Sequence, residues 1–168
     1  MELRRPKSSD QAAVMEMMAE FQAFQSPHDG GFWDLTDFDY QAWLEQNQLR
    51  EAGLSLRADQ VPSIQLVAFN QQGRALGFLS LRLALNAALR QKGGHIGYSV
   101  RPLERRKGYA TAMLAQGVSL ARQKNITRVL VTCSRTNLAS RKVILANQGQ
   151  LEDIQNGVER YWISKGDS

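Results

Sequence analysis

The stretch from Gly93 to Ala110 constrains this chain more than any other. His95 to Val100 reads as a short strand, and Pro102 breaks it. A second apolar pattern begins near Ala110 and repeats at helical spacing. Between the two lie three consecutive cations, Arg105, Arg106 and Lys107, followed by Gly108. A strand, a basic loop with a glycine and a helix start together form an anion site. Amides in the first turn of a helix have no acceptor within it, and the helix dipole favours negative charge there. The expected guest is a phosphate or a pyrophosphate.

The rest of the composition bounds the answer. The 168 residues predict a single domain over 1–168 with room for a sizeable core. No run of eighteen apolar residues exists and no apolar segment follows the N-terminus, so neither a membrane span nor a secretory leader is expected, and the location expected is cytoplasmic. One cysteine, Cys133, and two histidines, His28 and His95, leave no internal disulfide and no expected metal site. The net charge of +5 is unevenly placed. Residues 1–60 hold five Lys/Arg and eleven Asp/Glu, a net −6, and residues 61–168 hold sixteen and five, a net +11. That division suggests a basic half for an anionic ligand. The acidic half reads either as a site for something cationic or as solvated surface. No base-stacking aromatic motif accompanies the basic residues, so a nucleic-acid partner is not expected.

Taken in order, Glu2-Leu3-Arg4 reads as a first strand. Val14, Met17, Met18, Phe21 and Phe24 recur at three- and four-residue steps and predict a helix over 11–24. The segment from Phe32 to Tyr40 interleaves Phe32, Trp33, Phe38 and Tyr40 with Asp34, Asp37 and Asp39. It reads either as walls of an ammonium pocket or as a loop packed on the core. Thr36 or Asp37 is the expected cap of a helix running to about Ala52. Strands follow over 64–69 and 76–85, joined by a turn at Asn70–Gly73, with Leu79, Leu81, Leu83 and Leu85 expected on one face. After a helical turn at 87–89 come the strand 95–100, a helix from 110 to about 124 that Asn125 ends, a buried strand 129–133 and a helix 137–147. A strand pair around Asn156-Gly157 closes the chain. The order β-α-α-β-β-β-α-β-α-β-β is that of a mixed α/β layer fold.

Arg105-x-x-Gly108-x-Ala110 resembles the Arg/Gln-x-x-Gly-x-Gly/Ala loop of the GNAT superfamily of N-acetyltransferases. About thirty residues on, Asn137-x-x-Ser140 opens the next helix, as in that superfamily. Gly93 to Pro102, Val61-Pro62-Ser63, Leu85-Asn86 and Tyr161-Trp162-Ile163 also look like a bacterial GNAT subfamily of predicted acetyltransferases. The resemblance covers nearly the whole chain. It implies a central mixed, mostly antiparallel sheet flanked by helices, with two strands, 95–100 and 129–133, splayed apart.

The same resemblance implies a reaction. Acetyl-CoA would donate its acetyl group directly to an amine of a small molecule or a protein. The acceptor itself is left open, and the aspartates of 34–39 suggest a cationic one. Arg105, Arg106, Lys107, Gly108, Tyr109, Ala110 and Thr111 would hold the pyrophosphate, Gly108 by letting the backbone approach it. Backbone groups near Ser99 and Val100, together with Asn137 and Ser140, would hold the pantetheine arm. Homodimers through edge strands near the C-terminus occur in this superfamily and are expected here. Two positions depart from the pattern. Arg106 stands where glycine is usual. Ile144 stands seven residues after Asn137, where many relatives place a tyrosine that protonates the leaving thiolate. Tyr98, Tyr109 and Tyr161 remain as proton donors, and so does water; Tyr98 is the tyrosine named for the site. His95 has the pKa of a base near neutrality and reads either as that base or as a structural histidine. A bulge is implied in this strand. The absent tyrosine keeps a second reading open, a non-catalytic acyl-CoA-binding or regulatory module.

Overall fold

The computed structural model describes residues 1–164. Two antiparallel sheets carry the fold. The first has the order β1 (Glu2–Arg4), β2 (Ser63–Phe69), β3 (Ala75–Arg82), β4 (Ile96–Val100). The second has the order β5 (Val129–Ser134), β7 (Val158–Ile163), β6 (Gln150–Gln155), with β6 at its exposed edge. Helices α1 (Gln11–Ala23) and α2 (Tyr40–Glu51) cover one face of the first sheet. Helix α4 (Tyr109–Gln123) covers the other, and α5 (Leu138–Ala146) adjoins it. A one-turn helix α3 (Ala87–Gln91) precedes β4. No helix among the described residues is long and apolar enough to cross a membrane.

Because helices cover both faces of the first sheet, β2 and β3 are buried on both sides. Leu76, Leu79 and Leu81 enter the core under α4, and Ala75 and Phe78 enter the core under α1 and α2. Leu79 and Leu81 thus share one face as expected, and Leu83 packs against the same core. β3 ends at Arg82, and Leu83 and Leu85 lie beyond it. The cap of α2 is corrected. Asp39, not Thr36 or Asp37, accepts the Ala42 N–H at 3.1 Å. Trp33 and Phe38 pack on the core under α1 and α2, so the 32–40 segment is largely a packed loop. Asn125 takes the left-handed conformation that ends α4, and Asn156-Gly157, both at positive φ, form the β6–β7 turn.

One ion pair fastens α1 to the end of β4. Arg101 is 2% exposed and Glu20 8%. The guanidinium donates Nε and Nη2 to Glu20 Oε1 at 3.0 and 2.7 Å and Nη1 to the Ala75 carbonyl at 2.9 Å. Glu20 Oε2 accepts the Leu103 N–H at 2.9 Å. Burial pushes the Glu20 carboxyl up, but these hydrogen bonds and the charge of Arg101 outweigh it and hold the group below its usual range. Glu20→Ala would leave a buried cation short of its partner, a loss of about 3–5 kcal/mol. In a chain of this size that is a fall of roughly 10 °C in Tm. Glu16→Ala, which removes the exposed second partner of Arg101, should cost less than about 1 kcal/mol. Thermal unfolding of the two variants checks both values.

Candidate active site

The two sheets are bridged through Gly93 to His95 and then separate. Gly94 brings the backbone so close to β5 that a side chain there would collide with the Leu130 carbonyl. The His95 N–H then donates to the Leu130 carbonyl at 2.8 Å, and the Leu130 N–H donates to His95 Nδ1 at 2.9 Å. A side chain thus takes the place of the backbone acceptor that a continuing ladder would supply. Beyond it, β4 and β5 belong to different sheets. The result is a wedge closed at His95 and open toward Val100 and Ser134.

His95 is 7% exposed. Burial, reinforced by Arg90 and Arg82, pushes its pKa down to about 4. Since Nδ1 accepts a hydrogen bond, the neutral ring carries its proton on Nε2.

β4 pairs with β3 from Leu81↔Ile96 to Gly77↔Val100 without a register shift, so the bulge implied by the resemblance is absent from this ladder. The alternation therefore holds. Arg82 and Arg101 donate their N–H groups to His95 and Leu76, which makes the odd residues of β4 the ones bonded to β3. The amides of Tyr98 and Val100 face the wedge. The Ser99 backbone faces β3 instead, and its hydroxyl donates to the Asp29 carbonyl at 2.7 Å. Tyr98 reaches across to α5, its hydroxyl 2.8 Å from Ser140 Oγ. Burial pushes the Tyr98 phenol up to about 12.

The basic loop follows β4. A short 3-10 turn over Pro102–Glu104 leads into Arg106 at φ 65° and Gly108 at φ 83°, the residue before α4. Left-handed residues in such a loop turn successive N–H groups to one side. Among the described residues, no acceptor within the chain meets the amides of 106–111. A Cβ at Gly108 would meet no atom within 4 Å, so its surroundings are open. The cations are less free than their sequence suggests. Arg105 donates Nε to the Val100 carbonyl at 2.9 Å and Nη2 to Ser26 Oγ at 2.7 Å. Lys107 pairs with Glu104 at 2.8 Å. Arg106 alone of the three has no partner among the described residues.

On the second wall, Asn137 caps α5 by accepting the Ser140 N–H at 3.1 Å. Ile144 is fully buried in the core. Cys133 is also buried, and its thiol is pushed up to about 11 by burial and by Glu159. Glu159 accepts Nε and Nη2 of Arg141 at 2.9 and 2.7 Å and the Tyr161 hydroxyl at 3.1 Å. This cluster binds α5 to β7. Sequence reasoning missed it, although a glutamate alternating with Tyr161 and Ile163 on an inward face was the available signal.

A wedge between diverging strands beside a helix-start anion loop is the architecture of an acyl-CoA-dependent transferase. The sequence matches the acetyltransferase (GNAT) domain family over residues 1–148, and the chain belongs to that family. A comparison with curated protein sequences finds no match. Among solved structures it is similar to a ribosomal-protein-S5-alanine acetyltransferase from Vibrio fischeri at 18% identity, covering 97% of this chain and 92% of that one with a TM-score of 0.68. It is similar to yncA from Salmonella typhimurium with its cofactor acetyl-CoA, at 15% identity, 99% and 95% coverage and a TM-score of 0.62. A spermidine N-acetyltransferase chimera from Vibrio cholerae shares 15% identity, 98% and 96% coverage and a TM-score of 0.60.

Removing the imidazole should open the closed end of the wedge. His95→Ala leaves the Leu130 N–H without its acceptor and should cost about 1–3 kcal/mol. His95→Asn, whose Oδ1 stands where Nδ1 stood, should recover most of it. The stabilisation is full above the ordinary histidine pKa of 6.5 and is lost as pH falls through about 4. Urea unfolding of wild type and His95→Ala between pH 4 and 8, with hydrogen exchange at the Leu130 amide, checks both statements.

Proposed function

We propose that this chain transfers the acetyl group of acetyl-CoA directly to a primary amine. The observation that carries the reading is the row of six amides, Arg106 to Thr111, without acceptors at the mouth of the β4–β5 wedge. They fit a pyrophosphate, with Arg106 as the adjacent free cation and with Gly108 offering no side chain in the way. Bound there, acetyl-CoA supplies an activated acetyl thioester. The amides of Tyr98 and Val100 are the donors for the pantetheine arm and for the thioester carbonyl. Such donors count for more in a dry cleft than in water. Ser140 holds the Tyr98 hydroxyl in the gap, and Asn137 fixes the helix end that carries Ser140.

Two protons must move. Tyr98 Oη keeps its proton throughout the physiological range and is the donor for the departing sulfur, the role that buried Ile144 does not fill. His95 is not the base in this reading. Its only lone pair holds the Leu130 N–H, and its role is to close the wedge. The acceptor ammonium loses one proton to water before attack, and the second, shed from nitrogen after attack, replaces the one that the Tyr98 hydroxyl gives to sulfur.

Gly108→Glu places a carboxylate at the pyrophosphate position. Calorimetry should show a loss of acetyl-CoA affinity of at least about 100-fold, the scale of one charged group placed against another. Unchanged affinity would overturn the loop assignment. The pH profile of acetyl transfer from pH 5 to 9 should rise with deprotonation of the acceptor alone. No limb should come from His95, at about 4, or from Tyr98, at about 12. Tyr98→Phe should lower kcat by about 10²-fold, the low end for a general acid, because a thiolate needs little help. A steady-state series on both proteins decides these points.

A further inference from the structure

The acceptor side of the wedge holds a cation that the donor site does not use. Arg82 ends β3, opposite His95, and alternation puts its side chain on the face of Phe78 and Ser80, under the segment that joins α1 to α2. Its Nη1 donates to the carbonyls of Gly93 and Gly94 at 3.0 and 3.1 Å. No carboxylate of the described residues lies within 4 Å of it, and Nε and Nη2 have no acceptor there. Yet burial is strong enough to push the guanidinium below its usual range, with Asp29 as the one opposing charge. The other charged neighbour of this corner, Arg90, is also a cation, and His95 is neutral.

Glycines make the room around this group. A Cβ at Gly97 would stand 3.4 Å from Arg82 Nη2 and 3.4 Å from the Gly30 amide nitrogen. The guanidinium therefore lies over β4 in space that a side chain at 97 would enter. Its place along the strand is informative. The phosphate loop leaves the Val100 end of β4, so a donor anchored there reaches along the strand toward Gly97, about 10 Å away at strand rise. Arg82 stands just past that point. A half-buried guanidinium with one open edge, Nε and Nη2, is matched by a carboxylate or phosphate, which accepts parallel N–H bonds. The acidic segment argues less for a cationic acceptor. Asp34 accepts the Thr36 N–H at 2.8 Å, and Asp39 caps α2.

We infer that Arg82 binds an anionic group of the acceptor, so that the preferred acceptors are amines bearing a carboxylate or phosphate. The inference rests on the acetyl-transfer reading. A second cation in the acceptor would face Arg82 and be repelled, whereas an anion would fix the amine end toward Gly97.

The test compares matched amines: 4-aminobutyrate, butylamine and 1,4-diaminobutane in one set, and O-phosphoethanolamine and ethanolamine in a second. With acetyl-CoA and the full chain, the anionic member of at least one set should exceed its neutral and cationic partners by 10-fold or more in kcat/KM. Arg82→Met should erase that preference, and Arg82→Lys should keep part of it. Gly97→Ala, which crowds Nη2, should weaken it independently of how Arg82→Met folds. Equal or higher kcat/KM for the neutral or cationic amines overturns the inference, as does a preference that Arg82→Met leaves intact. A turnover-free arm separates it from the underlying reading. CoA is titrated first by calorimetry, then 4-acetamidobutyrate, O-phospho-N-acetylethanolamine or N-butylacetamide is titrated into the complex. Failure of CoA to bind sinks the acetyl-transfer reading and the inference with it. Normal CoA binding with no anion-dependent, Arg82-dependent second binding overturns the inference alone.

Discussion

The pair of hydrogen bonds exchanged by His95 and Leu130 joins the two sheets at one end and lets them part at the other. Backbone ladders propagate because each N–H finds a carbonyl and each carbonyl an N–H. At Leu130 the chain satisfies the amide with His95 Nδ1, so no carbonyl of β4 is called on and the ladder stops after one bond. Gly94 makes this possible by letting the backbones approach without a side chain between them. The strands can then diverge without leaving a buried amide at the branch point. That divergence leaves the amides of Tyr98 and Val100 facing the wedge instead of a neighbouring strand.

Polar anchors hold the walls of the wedge where apolar packing alone would let them slide. Arg101 and Glu20 tie α1 to the turn that opens the phosphate loop. Arg141 and Glu159 tie the start of α5 to β7. Asn147 donates to the Thr111 carbonyl at 3.2 Å and ties the end of α5 to the start of α4. Each buried pair costs desolvation and contributes little net stability beside well-packed apolar groups, but it fixes position, which a site built from backbone amides needs.

How much of this could be read from the sequence depended on the range of the interaction. The shape of the basic loop was legible because it is set locally. A glycine before a helix and a basic turn dictate backbone geometry wherever the chain folds. The elements themselves were legible from period, except where β3 is covered on both faces and loses its alternation. The partners of Arg105 and Lys107 were not legible, since Ser26 lies 79 residues from Arg105, and the loop looked more cationic than it is. Nor was the bond that His95 accepts from Leu130, because such a partner leaves no trace in residue type. Arg106 carried a half-legible signal. Its departure from glycine marked a special position, and its φ of 65° shows a left-handed residue, held at a cost of about 1–2 kcal/mol.

The pairing of Lys107 with Glu104 and of Arg105 with the Val100 carbonyl has a consequence for how the loop sees its surroundings. A site made of mobile cations attracts every polyanion and weakens as ionic strength rises, because its attraction is long-ranged and counterions compete for it. A site made of peptide dipoles acts only at contact distance. It selects by the shape of the phosphate group more than by its charge. With a single free cation among the described residues of the loop, Arg106, an anion held there should bind almost as well at high ionic strength as in dilute buffer, and the strongly basic C-terminal two-thirds of the chain need not make it a general trap for nucleic acid.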